Sequence, residues 1–88
     1  MQEPPTEPIY PRRVPLKVIG WSQQISEAKL TALIQEHLGP FLPDSGLDHI
    51  NQKGAYSSFT YWILLPDEES ERPLREAIHR MPGVIMLL

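Results

Sequence analysis

Three histidines, a run of acidic residues and a pair of adjacent serines are the side chains in this chain whose types could do chemistry. A histidine beside a carboxylate is the usual general base or metal ligand, and Asp48-His49 is such a neighbour pair. In a regular strand, however, neighbours point to opposite faces, so the two are expected to diverge. His37 and His79 fall near the ends of predicted helices, where an imidazole meets the last carbonyls and the negative end of the dipole. Ser57 and Ser58 lack the strand-turn-helix context of a nucleophile elbow, and no glycine-rich loop with a lysine is present to cradle a phosphate. Asp67-Glu68-Glu69 could attract a hard cation, but consecutive residues entering a helix cannot all converge on one ion. The expectation is no catalytic residue, no metal and no cofactor, and a protein that binds rather than reacts.

The elements that must position any binding surface follow from apolar spacing. Val14, Leu16 and Val18 alternate with Pro15, Lys17 and Ile19, which predicts a first strand over 14–20 ending at Gly20. Ser26 offers an N-cap oxygen, and Leu30, Leu33, Ile34 and Leu38 recur at helical spacing until Gly39-Pro40 stops them. A weak strand over 47–52 joins a strong one over 56–65 through a turn at Lys53-Gly54. Past Pro66, Ser70 is the expected N-cap of a second helix, with Pro73 in its first turn and Leu74, Ala77, Ile78 and Met81 as its buried stripe. Pro82-Gly83 ends that helix and 84–88 closes the chain as a fourth strand.

The order βαββαβ, with two right-handed crossovers, predicts an α+β ferredoxin-like two-layer sandwich: an antiparallel sheet of order 4-1-3-2 with both helices on one face. That domain is expected over 14–88. Residues 1–13 carry Pro4, Pro5, Pro8 and Pro11 and are expected to form a disordered tail, with docking into an aromatic groove as the other use of such a segment.

Composition excludes several classes. The 88 residues contain no cysteine, so neither a disulfide nor a thiolate metal site can form, which suits a reducing, cytoplasmic setting. The first residues lack a basic stretch and apolar run, and no segment approaches the roughly 20 apolar residues that span a bilayer, so no membrane partner is expected. The net charge is −3, with Lys and Arg scattered. Nucleic acid is not expected either: an RNA-recognition strand needs aromatics where this one has Ala55 and Ser57.

On the strand over 56–65, the odd positions Phe59, Tyr61, Ile63 and Leu65 are the more apolar and should face the helices, with Leu16 and Val18 beside them. The even positions then lie on an open face, where Ile19, Trp62 and Leu64 form an apolar patch. The last strand is uncharged and at the sheet edge, which makes Leu87 a candidate contact for strand pairing. Ile19, Trp62, Leu64 and Leu87 are thus the candidate contacts for an unknown protein partner or for self-association. The alternative is a small-metabolite sensor at Gly20, Trp21 and Ser22, where a turn at a strand end can offer free N–H groups to a carboxylate.

Lys17-Val18-Ile19-Gly20, the segment Lys53 to Leu65 and the closing Val84 to Leu88 resemble the YbeD-like family of small bacterial proteins of unknown function, over residues 14–88. The resemblance implies a ferredoxin-like fold similar to ACT-type regulatory domains, with no established enzymatic activity. Such domains often bind small ligands near the first strand-to-helix turn at a dimer interface, which maps onto Gly20, Trp21 and Ser22. An acidic residue often follows that glycine in those domains, and Trp21 stands there in this chain.

Overall fold

The computed structural model describes residues 9–88, so the expected tail lies outside the described residues over 1–8. Strand β1 (Arg12–Trp21) begins earlier than expected, because Arg12 and Arg13 pair with Leu65 and Leu64. Helix α1 (Glu27–Leu38) starts where Ser26 accepts a hydrogen bond from the Lys29 N–H at 3.2 Å and ends where Gly39 turns to φ 82°. Strands β2 (Gly46–Lys53) and β3 (Tyr56–Leu65) form a hairpin. Its two-residue loop has Gly54 at φ 60° and no positive φ at Ala55, the signature of a type II′ turn with glycine first.

A short 3-10 turn, Glu68–Ser70, leads into helix α2 (Glu71–His79). Ser70 does not cap it as expected: its hydroxyl donates to Asp67 Oδ1 at 2.7 Å, and its backbone is already helical. The helix is laced instead by Glu71–Arg75 and Arg72–Glu76 pairs one turn apart. Strand β4 (Val84–Leu87) closes the sheet.

The sheet order is β2-β3-β1-β4, all neighbours antiparallel, which is the predicted 4-1-3-2 ferredoxin-like arrangement. Leu16, Val18, Phe59, Tyr61, Ile63 and Leu65 from the sheet bury against Leu30, Ile34, Leu74 and Ile78 from the helices, so both helices cover one face. Ile25, in the turn before α1, joins this core although no helical or strand period marks it. Each fully buried aliphatic side chain contributes about 1.5–3 kcal/mol relative to exposure, and this shared core holds the two layers together.

Candidate functional site

The strand register places each side chain of the open face. One row across the sheet holds Lys53, Tyr56 and Trp21; the next holds Asn51, Ser58, Ile19 and Met86; the third holds His49, Thr60 and Lys17; the fourth holds Gly46, Trp62 and Pro15. Trp21 and Tyr56 are cross-strand neighbours with ring centroids 4.8 Å apart and planes 26° apart, a stacked pair exposed to solvent.

This register corrects the expected apolar patch. Ile19 lies opposite Ser58 and Trp62 lies four residues further along β3, roughly 13 Å away, with the polar row of His49, Thr60 and Lys17 between them. Trp62 is also covered: the Arg13 guanidinium lies 4.1 Å from its ring centroid, held there by a 2.9 Å bond from Nε to the Asp44 carbonyl. Leu64 is half-buried and lines a separate cleft of about 170 Å³ with Leu38, Phe41 and Leu42. Ile19 is therefore apart from Trp62 and Leu64, which stay same-face neighbours on β3, the first covered by Arg13 and the second bordering the Phe41 cleft.

Leu87 is likewise repositioned. It pairs with Val18 and packs against the core, whereas Met86 pairs with Ile19 and lies on the open face, 47% exposed. A register shift opposite Ile19/Gly20 then sets Val84 against Gly20 and leaves Ile85 exposed. Because all four residues of β4 are apolar, no alternation in the sequence distinguished Met86 from Leu87.

At the end of β1, the expected turn is not a source of free donors. The Trp21 N–H donates to the Gly83 carbonyl at 2.9 Å and the Ser22 N–H to the Ala55 carbonyl at 2.8 Å. The Ser22 and Ser57 hydroxyls share a 2.7 Å bond, which satisfies the buried Ser57. Gly20 is there for close approach: a Cβ on it would lie 2.4 Å from the Gly83 carbonyl oxygen and 2.6 Å from Ile25 Cδ1. Beside this turn, Trp21, Ser22, Gln23, Gln24, Gln52, Gly54 and Ala55 line a cleft of about 280 Å³ with no charged side chain among them. The three glutamines were not singled out by any sequence pattern.

The titratable groups differ from expectation at one place. Asp48 and His49 do not diverge: the irregularity between Leu47 and His49 turns them together, and His49 Nδ1 lies 2.8 Å from Asp48 Oδ2 at an exposed position. His37 Nδ1 lies 3.1 Å from the Leu33 carbonyl of its own helix, the expected helix-end contact. Among the described residues, no three His, Asp or Glu side chains group to hold a metal ion. Burial pushes the Tyr61 phenol above its usual 10.0, the 3.0 Å bond with the Thr31 hydroxyl opposes that, and the Glu27 charge adds to it.

Comparison with known proteins agrees with the fold. A family model described as "Protein of unknown function (DUF493)" matches residues 6–88. The solution structure of protein HP0495 from H. pylori is 19% identical, covers 100% of this chain and 98% of its own, and superposes with a TM-score of 0.68. The ACT domain from GTP pyrophosphokinase of Chlorobium tepidum is 15% identical, covers 86% of this chain and 94% of its own, and superposes with a TM-score of 0.55. No curated protein matches the chain by sequence.

Proposed function

The chain belongs to the family described as Protein of unknown function (DUF493), the YbeD family, and for this member of it we propose a non-enzymatic regulatory or adaptor module that acts by protein association. The surfaces that serve it are the outer edge of β4 and the open sheet face. The fold shared with an ACT domain supports the regulatory part of this reading.

One observation carries the proposal: the contrast between the two sheet edges. β2 presents Asp48, His49 and Lys53 and is irregular beside Leu47, devices that discourage strand pairing. β4 shares only an irregularity, its register shift opposite Ile19/Gly20, and lacks the charges. It is uncharged, it exposes Ile85 and Met86 with Leu88 just beyond it, and the 2.8 and 3.0 Å bonds between Lys17 and Leu88 fix which backbone groups face β1. Antiparallel alternation, which holds from Met86 to Leu88, then turns the N–H and C=O of Leu87 outward, ready to accept another strand. Sedimentation of the wild type and of Ile85→Lys, with affinity capture from the native host, tests this. Association that Ile85→Lys abolishes is the expected outcome. A wild type that stays monomeric, retains no partner and is indistinguishable from the variant would overturn it.

A second reading, a small-metabolite sensor, draws on the neutral cleft beside Trp21 and Ser22. Its donors would be glutamine amides and its wall the Trp21 ring, since the N–H groups of Trp21 and Ser22 are engaged. Intrinsic fluorescence during a metabolite screen separates it from the first reading. Unchanged emission and melting temperature across amino acids and organic acids would dismiss it.

A further inference from the structure

Charge is unevenly distributed between the two layers of this acidic protein. Glu27, Glu36, Glu71 and Glu76 lie on the helices and Asp67, Glu68 and Glu69 at the entry to α2, seven carboxylates against the four cations Lys29, Arg72, Arg75 and Arg80 of the same layer. On the open face, Lys17, Lys53, Asn51, Tyr56, Ser58 and Ile19 border one shallow groove whose lining includes no carboxylate. Neither lysine has a carboxylate within ion-pair distance among the described residues; the ion pairs there are His49–Asp48, Arg72–Glu76 and Arg75–Glu71. Asp44 and Asp48 line the cleft at the opposite, Trp62 end of the face.

From this distribution we infer that the open sheet face receives an acidic segment of a different protein, not a second copy of this chain. The inference rests on the reading of that face as an association surface. A two-fold dimer built through the groove would set a cationic surface against itself, and like charges brought together at an interface oppose binding. Stacking the cationic face of one copy on the acidic helix layer of the next would be head-to-tail and would give a ring or a filament, not a two-fold dimer. Self-association is left to the β4 edge, and the groove to an acidic partner.

The spacing of the two lysines points to a polypeptide rather than a small anion. Lys17 pairs with Thr60 and Lys53 with Tyr56, on opposite sides of β3. Their Cα atoms are thus about 13 Å apart along the sheet and about 10 Å across it, about 16 Å in all. An extended segment spans that diagonal with carboxylates about four to five residues apart. Between them it meets the Asn51 amide and the Ser58 hydroxyl, with Ile19 as an apolar floor.

The test uses the whole chain and dye-labelled probes at low salt, read by fluorescence anisotropy: an extended peptide with two glutamates at that spacing, its glutamine counterpart, and a uridine oligonucleotide of equal length. The expected result is binding of the glutamate peptide that weakens roughly tenfold or more in Lys17→Glu/Lys53→Glu, the effect of reversing facing charges. Lys29→Glu/Arg72→Glu, which alters net charge equally on the helix layer, should bind as the wild type does. Equal binding by the two double variants, equal binding of the glutamine peptide, absence of glutamate-peptide binding, or tighter binding of the oligonucleotide would each overturn the inference. Sedimentation of Lys17→Glu/Lys53→Glu keeps the two proposals distinguishable: association through β4 persists in it even where the peptide experiment fails.

Discussion

Tyr61 shows how much a single hydroxyl can carry in a small core. Its ring is fully buried, and its oxygen reaches α1, 3.0 Å from the Thr31 hydroxyl and 3.5 Å from the Glu27 carbonyl. Tyr61→Phe keeps the ring and loses the bond, so it should cost about 0.5–1.5 kcal/mol in urea unfolding at neutral pH. The phenol's folded-state value is raised above 10.0, so its stabilisation is complete below that pH and declines as pH rises through the folded value. An alkaline series should show the wild type losing stability above about pH 10 more steeply than Tyr61→Phe does. Gly20 is the second decisive residue. Gly20→Ala must displace backbone at Gly83 and is expected to destabilise by about 1–3 kcal/mol, measured the same way. The sequence placed Tyr61 in the core and Gly20 at a strand end, but their partners, Thr31 and Gly83, come from elements distant along the chain.

Among the elements, the facing of β3 was legible and that of β4, though its place as the last strand was expected, was not. β3 alternates cleanly, so its odd positions could be assigned to the helix side from residue types alone, and they are buried there. β4 is apolar at every position, and its facing is set by pairing with β1 and by the register shift beside Gly20. Leu87→Lys therefore presses a charge toward Val18 and the core, with an expected loss of about 1–3 kcal/mol, whereas Met86→Lys on the open face should stay within about 0.5 kcal/mol of wild type. Urea midpoints for the two variants check this directly. The same cause operated in β2, where a strand irregularity brought Asp48 and His49 together against the rule for neighbouring residues.

For the whole molecule, one core shared by both layers means that sheet and helices should unfold together. Trp21 and Trp62 report from opposite ends of the open face, and far-UV circular dichroism reports the helices. Coincident denaturation curves from the two signals are expected, and separated midpoints would show that the layers unfold independently. The residue pattern by itself determined the element order, the strand order, the helix-facing set on β3 and the capped limits of α1, because periodicity and caps are local consequences of backbone geometry. The tertiary structure alone decided that Trp62 is covered by Arg13, that Leu87 faces inward and Met86 outward, and that Lys17 and Lys53 border one groove. These depend on strand register and on contacts between distant segments, and a one-residue shift in register reverses which side chains a surface presents.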